Sequence, residues 1–431
     1  MDYNIWRIVE QYEDKAVQWR REFHKYAETG WREFRTTSRI VEILTANQIP
    51  VQYGIEIINT DYTWSYPGNE IPEEIKRAIN QGADEKIVSV MRGYTGVVAT
   101  IDTGREGPVV AFRFDIDALA VRESECEEHL PYKQGYASVN RGIMHACGHD
   151  GHTAIGLVLC LVINEIKENI NGKIKVIFQP GEEGAMGGQA VSESGILDDV
   201  DVLLSGHLGM GLPTGTFAVF SEGYLASTKF DLVFSGNSAH AGASPHVGNN
   251  AILAASSAVL AMYSFCQDGR GATRVNVGKF VGGTGRNVVA DRVDIQMETR
   301  GEDDKIEQRL YHACLNAAEG AAQMYGCKIQ HEIKGYASSV QSDKELSEPI
   351  YRGVSKVKEI TMVVPSVQSS ASEDVGYMMK KVREHGGCAA YVGIGADIDA
   401  PHHNNKFDFD EKSIMIGVKA YISILNEMFK R

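Results

Sequence analysis

Four residues of the segment His145-Ala-Cys-Gly-His-Asp-Gly-His152 carry soft or borderline ligand atoms: His145, Cys147, His149 and His152. Asp150 adds a carboxylate. A thiolate beside neutral imidazoles suits Zn²⁺ or a similar divalent ion. The segment falls between an apolar run, Val109–Phe114, and a helical pattern that begins at Thr153. It is therefore a loop entering a helix N-terminus, where amide dipoles are expected to ease ionisation of the Cys147 thiol. Structural zinc sites use cysteines paired at short spacing, and the seven cysteines of this chain contain no such pair. The expectation is a catalytic metal.

Further donors follow at the ends of later strands. They are Asp115 and Asp117, the pair Glu182–Glu183 in Gln179-Pro-Gly-Glu-Glu-Gly184, His207, and the pair His402–His403. The ligand candidates are Cys147, His149, one of the two glutamates, His207 and one of the two late histidines. Five protein ligands are too many for one open zinc site and suit two ions. With one ligand shared and one water bridging, each ion reaches about four bonds. The glutamate that does not bind metal can take a proton from that water. His240, in Ser238-Ala-His-Ala-Gly-Ala-Ser-Pro-His246, either steadies a developing oxyanion or is structural. His24 reads as a packed or capping residue near the end of the first helix.

The elements that must position these groups alternate. Helical spacing covers Ile5–Ala27 and Ser38–Asn47, and residues 48–92 read as a surface insertion with a short helix over Pro72–Gln81. Strands are predicted at Gly96–Ile101, Val109–Phe114, Ile174–Phe178 and Val202–Ser205, with helices at Thr153–Glu168 and Gly188–Ser194. Nearly continuous apolar strands between helices predict an α/β fold, a mostly parallel sheet with helices on both faces. Sites in such sheets collect at the carboxyl ends of strands.

After Gly223 the order becomes β-α-β-β-α-β: Thr228–Phe234, Asn249–Phe265, Arg274–Val281, Asn287–Glu298, Asp303–Tyr325 and Lys328–Lys334. That is a ferredoxin-like α+β sandwich inserted into the first domain. Gly282-Gly-Thr-Gly285 reads as a turn, since no helix follows it. The first domain then resumes with helices at Glu345–Lys358 and Glu373–Glu384 (Ser372 as cap), strand Cys388–Gly393 and a last helix over Glu411–Phe429. The expected domains are 1–222 and 336–431 for the catalytic part and 223–335 for the insert.

At 431 residues two domains are the natural expectation. A net charge of −14 argues against nucleic acid and anionic membranes as partners. The scattered, odd set of seven cysteines fits a reducing compartment. With no signal-peptide pattern at Met-Asp-Tyr-Asn-Ile-Trp-Arg, and no apolar run long enough to span a bilayer, the expected location is cytoplasmic.

Several stretches in order resemble the metal-dependent amidohydrolases of the aminoacylase and glutamate carboxypeptidase family. They are Phe112–Leu119, Met144–His152, Phe178–Gly184, Gly206-His207, Ala239–Pro245, Gly285–Val289 and His403–Phe407. The resemblance implies Cys147, His149, Glu183, His207 and His403 as metal ligands, with Cys147 shared, and Glu182 as general base. It implies Asp115 and Asp117 as carboxylates behind the ligands, His240 as a catalytic group reaching a neighbouring chain's site, and Asn287 and Arg300 as substrate-binding. The cofactors are two divalent ions per chain, Mn²⁺ or Zn²⁺. Two departures stand out: Gly181 replaces a usual Ala, and Asn404-Asn405 replaces Ser-Pro, which leaves both His402 and His403 as candidates.

Trp19–Trp31, the insertion between Gln48 and Arg92, Phe230–Gly242 and Thr273–Gly278 are similar to a branch that cleaves N-aroyl glutamates. The implied reaction is p-aminobenzoyl-glutamate to p-aminobenzoate and glutamate. The implied partners are an N-acyl amino acid substrate and either a second copy or a related B subunit, joined through the inserted lid or dimerisation domain. An aminoacylase or dipeptidase with another side-chain preference is the first alternative. A catalytically silent metal-binding subunit is the second.

Overall fold

The computed structural model describes residues 3–369 and 371–429; Met1 and Asp2 of the N-terminal stretch lie outside the described residues. Two compact units emerge: Met1–Glu222 with Val340–Ser369 and Asp374–Arg431, and Gly223–Ser339 with Ser370–Glu373. No helix is long and apolar enough to cross a membrane among the described residues.

In the first unit, α1 (Tyr3–Glu10), α2 (Glu13–Lys25) and α3 (Phe34–Ala46) precede β1 (Val51–Tyr53), α4 (Ile71–Asn80) and α5 (Glu85–Met91). Then come β2 (Val97–Asp102), β3 (Val109–Asp115), α6 (Leu130–Lys133), α7 (His149–Ile166), β4 (Lys173–Gln179), α8 (Gly188–Ser192), β5 (Val202–Leu208) and β6 (Thr216–Glu222). The unit ends with elements whose labels follow those of the insert: α11 (Ser347–Val354), β11 (Met362–Gln368), α12 (Val375–Glu384), β12 (Cys388–Ile394) and α13 (Lys412–Met428). The insert supplies β7 (Ala226–Ser235), α9 (Ala251–Tyr263), β8 (Thr273–Gly282), β9 (Arg292–Gly301), α10 (Asp304–Met324) and β10 (Lys328–Ala337).

Eight strands of the first unit form one sheet in the order β1-β2-β4-β3-β5-β12-β6-β11. The central neighbours β4, β3, β5 and β12 run parallel, as does β6 with β11, whereas β1–β2, β2–β4 and β12–β6 are antiparallel. The expected mainly parallel sheet is what forms. Alternation along β3 shows how both faces are used. Phe112 and Phe114 pack edge-on to Tyr421 of α13, and a side chain at Gly156 of α7 would collide with Phe114 and Phe178. Arg113 points the other way, to Asp374 at the start of α12. Helix α7 is apolar nearly all round and buried along its length, which is the pattern of a helix inside a core.

Three local expectations change. The first helix breaks at Gln11–Tyr12, where both side chains reach Glu165. Residues 48–92 are not a surface loop: Ile71, Ala78, Ala83, Val88 and Met91 bury a small core with Phe34. Trp31 and Trp64 tie that segment to α8, since Trp31 Nε1 donates to the Trp64 carbonyl and Trp64 Nε1 to Gln189. Ser372 does not cap α12, because its hydroxyl donates to the Leu225 carbonyl and the helix begins only after Asp374.

In the second unit, β7–α9–β8–β9–α10–β10 builds a four-stranded antiparallel sheet, β10-β7-β9-β8, backed by the two helices. Strand β9 starts at Arg292 rather than Asn287. The segment before it pairs with the His240 loop instead: Ala241 N–H donates to Asn287 O, and Val289 N–H to Ala239 O. Gly283, at φ 80°, begins a loop with no following helix, as the turn reading required.

Candidate metal centre

The candidate donors lie at strand ends, at a helix start and in the loops that follow strands. β3 delivers Asp115 and Asp117, the N-terminus of α7 delivers Cys147 and His149, and the turn after β4 delivers Glu182 and Glu183. β5 delivers His207 near its end, and the loop after β12 delivers His402 and His403. The side chains converge into overlapping groups. Cys147, His149 and His207 form one set of three ligand atoms all within 4.8 Å of one another, and Cys147, Glu183 and His403 form another. Cys147 belongs to both sets. A third set, His149, Glu182 and Glu183, places the second glutamate of the pair beside the same donors.

Hydrogen bonds aim the imidazoles. His149 Nδ1 is 2.9 Å from the Asp117 carbonyl and His207 Nδ1 is 2.7 Å from the Leu208 carbonyl. Each carbonyl can only accept, so Nδ1 carries the proton and Nε2 is left as the donor atom toward a metal. The His207 Nε2 lies 3.4 Å from Cys147 Sγ. His152 is used differently: its Nδ1 meets Asp115 at 2.5 Å and its Nε2 accepts the Leu208 N–H, so both nitrogens are engaged. His402 directs Nε2 to the Leu208 carbonyl at 3.1 Å, and burial pushes it down to about 4. His403 has φ 67° and lies 3.5 Å from Glu183, and the Cys147 thiol and Glu183 carboxylate push it up to about 10.

The donor set fits a divalent cation. His149 Nε2 and Glu183 Oε1 are buried without a hydrogen-bond partner, an arrangement that costs stability unless something else binds there. Burial would lower His149, but Asp115, Asp117 and Cys147 outweigh it and favour positive charge at that point. Burial and the nearby Glu183 charge push the Cys147 thiol up, contrary to the expected ease of ionisation, and outweigh His149 and His403, which pull it down. Metal binding would therefore have to displace that proton.

Carboxylates behind the donors fix the geometry. Asp117 accepts the N–H groups of Glu182 and Glu183 at 3.0 and 2.9 Å. Asp115 is clamped by His152 and by Arg113 Nη1 at 2.8 Å. Arg113 also reaches Gln179 and Asp374, and Asp374 in turn accepts the Gly188 N–H. Arg113, Asp374 and Glu33 were not singled out from the sequence. The one available signal was a charge inside the apolar run Val109–Phe114.

His24 is a packed residue, as expected. It lies 2.8 Å from Asp150 and 3.0 Å from Glu123, and Asp150 also pairs with buried Arg20. Burial alone would lower His24, but those two carboxylates raise it to about 9. A raised histidine contributes stability that is complete below its unfolded value near 6.5 and is lost as pH climbs through about 9. The contribution corresponds to about 3 kcal/mol. Urea unfolding of the wild type and of His24→Gln should therefore differ most at and below about pH 6, with the difference shrinking as pH rises through about 9. A constant difference across that range would disprove the linkage.

In the second unit, His240 Nδ1 accepts the N–H groups of Gly242 and Ala243, and Asn287 lies on the segment paired with its loop. Arg300, on β9, is held by Glu298 at 3.0 Å. The structure thus brings His240 and Asn287 to one place and Arg300 to the sheet.

A mainly parallel sheet with thiol, imidazole and carboxylate groups gathered at its strand ends is the architecture of a metal-dependent amidohydrolase. The chain belongs to peptidase family M20/M25/M40, whose sequence model matches residues 111–427. It is 42% identical to the A subunit of p-aminobenzoyl-glutamate hydrolase from Escherichia coli (strain K12), over 96% of this chain and 95% of that protein. It is 40% identical to indole-3-acetyl-aspartic acid hydrolase of Enterobacter agglomerans, over 98% of each. The crystal structure of the aminobenzoyl-glutamate utilization protein from Klebsiella pneumoniae superposes with a TM-score of 0.84 at 34% identity, covering 98% of both chains.

Proposed function

We propose that the chain hydrolyses the amide between an aromatic acyl group and an acidic amino acid, with p-aminobenzoyl-glutamate as substrate and p-aminobenzoate and glutamate as products. The observation that carries the chemistry is the pair of donor sets sharing Cys147, with Glu182 beside them. Two divalent ions, Mn²⁺ or Zn²⁺, would be held by Cys147, His149, Glu183, His207 and His403. When bound they supply Lewis-acid polarisation of the amide carbonyl and acidify a water. Glu182 takes the proton of the attacking water and delivers it to the amide nitrogen as the C–N bond breaks. Asp117 keeps Glu182 in place through its backbone N–H, and Asp115 keeps His152 and Arg113 fixed behind the donors.

The substrate class rests on the two hydrolases named above, which act on a glutamate and an aspartate conjugate according to their names. Their likeness to this chain favours a second reading in which indole-3-acetyl-aspartate is the better substrate. Asn287 and Arg300 are assigned to the substrate carboxylates, which an acidic protein must meet with local cationic and hydrogen-bonding groups. His240 is assigned to the oxyanion of a neighbouring subunit's site.

A partner chain is supported by the second unit's surface. β8 is an edge strand, and Phe280 and Val281 on it are 40% and 53% exposed. Leu253 and Leu260 on α9 are 49% and 77% exposed. An uncovered apolar edge is a pairing surface. The occupant is a second copy or a related B subunit, and the location is cytoplasmic.

The test is a hydrolysis panel with Mn²⁺ or Zn²⁺, on protein sized in the same buffer. Aroyl glutamates are expected to exceed N-acetyl amino acids and dipeptides by about 10² in kcat/KM, and the active species to be a dimer. A mismatch in apolar pocket filling is worth about 10–200-fold per methylene, and an unpaired polar group in such a site is worth more. Equal rates on aliphatic N-acyl amino acids would move the chain to a general aminoacylase. No hydrolysis by the metal-loaded chain would make it a silent subunit.

A further inference from the structure

Three consecutive backbone N–H groups in the turn that carries Glu182 and Glu183 end on buried carboxylates. Glu182 and Glu183 use Asp117, but Gly181 uses Glu33, at 2.8 Å to Oε1. The other Glu33 oxygen accepts the Thr95 hydroxyl at 2.6 Å, and the residue is fully buried. Glu33 occupies the N-cap position of α3 but makes no capping bond to its own helix. Glu28 does that work, accepting the N–H groups of Arg35 and Thr36 at 3.1 and 2.8 Å.

Burying a carboxylate away from water is unfavourable unless hydrogen bonds compensate. Local helix capping does not account for this one, and its partners lie on the sheet side. Gly181 itself is in the left-handed region at φ 63°, and its carbonyl accepts the N–H groups of Met186 and Gly187 at 3.0 and 2.8 Å. The turn is therefore closed from within and anchored from outside at its first residue. Gly30 lies against the same place: a Cβ there would sit 3.0 Å from Gly181 Cα and 2.5 Å from Met186 Cε.

We infer that Glu33 is a positioning residue for the reaction, setting through Gly181 where the Glu182 and Glu183 side chains emerge toward the donor groups. The inference rests on the roles given above to those two glutamates. Outer partners of metal ligands are typically worth about 10–100-fold in affinity or activity.

The test compares wild type, Glu33→Ala and Glu33→Gln as metal-loaded full-length proteins. Near-ultraviolet circular dichroism gives the folded fraction, and competition with a chelator gives metal retention. Steady-state kinetics on p-aminobenzoyl-glutamate give kcat and KM. Glu33→Ala is expected to retain metal about 10-fold less well and to lose about 10–100-fold in kcat, with KM within roughly 3-fold. Glu33→Gln, whose amide oxygen can still accept the Gly181 N–H, should restore both to within roughly 3-fold.

Should Glu33→Ala not fold, Glu33→Asp replaces it. That variant keeps the carboxyl group but withdraws the acceptor by one methylene, and the same two losses are expected. Unchanged retention and kcat per folded molecule would overturn the inference, as would a folded Glu33→Gln that shows no rescue. A wild type that retains metal but cleaves nothing overturns only the functional reading, because the chelator arm still reports on Glu33. A wild type that holds no metal overturns both.

Discussion

Glu182→Gln is expected to keep its full complement of metal and to bind substrate normally, while turnover falls by about 10²–10⁴. The substitution is nearly isosteric, and the Glu182 backbone N–H stays on Asp117 at 3.0 Å, so the turn keeps its shape. What disappears is the capacity to accept a proton. Glu183→Gln should behave in the opposite way. Its Oε1 is buried without a hydrogen-bond partner and groups with Cys147 and His403, so loss of the charge removes a ligand and metal leaves with it. Elemental analysis beside steady-state kinetics separates the two outcomes. If Glu182→Gln sheds metal and Glu183→Gln keeps it, the roles are reversed.

Stripping the metal with a chelator is expected to abolish hydrolysis, and about two equivalents of Mn²⁺ or Zn²⁺ per chain to restore it. Cys147→Ser should weaken both equivalents together, because Cys147 is the donor common to both sets. Replacing a ligand should exceed the effect of replacing an outer partner, so a loss of at least about 100-fold is expected. Burial and Glu183 hold the Cys147 thiol above its ordinary value, so uptake must release that proton. His149 and His403, which Cys147 and nearby carboxylates hold protonated, add their protons to it, so retention should weaken as pH falls by about tenfold per unit for each proton displaced. Titration calorimetry in two buffers of different protonation enthalpy measures the protons released. One equivalent in fully active protein, or a Cys147→Ser variant that loses only one, would contradict the shared-donor arrangement.

Most of the candidate donors were legible in the sequence because they lie next to a strand end or a helix start that periodicity reveals. Cys147 and His149 precede an apolar helix, and Glu182 and Glu183 follow the apolar run Ile174–Phe178. The ferredoxin-like order was legible for the same reason. Strand β11 was not, because Pro365 interrupts Met362–Gln368, and proline is tolerated there only because the strand is an edge. Strand β6 was passed over in the stretch after His207, where Gly209, Gly211, Pro213 and Gly215 dominate. Glu33 could not be found by pattern, since its partners Thr95 and Gly181 are distant in sequence and its neighbour Glu28 performs the capping at that helix start. His402 faces the Leu208 carbonyl and His403 faces Glu183, a difference about which spacing carries no information.

The insertion interrupts a sheet whose halves need each other. Val202 of β5 pairs with Cys388 of β12, and Thr216 of β6 pairs with Met362 of β11. A ribosome adding roughly 5–20 residues per second reaches Cys388 some ten to forty seconds after Val202. Throughout that interval the nascent chain carries β5, buried over nearly its whole length in the finished protein, with an open edge. The insert, whose strands and helices are contiguous in sequence, can close first. Production of this protein should accordingly be sensitive to translation speed and to the supply of chaperones that shield unpaired strands, more than the stability of the finished fold would indicate.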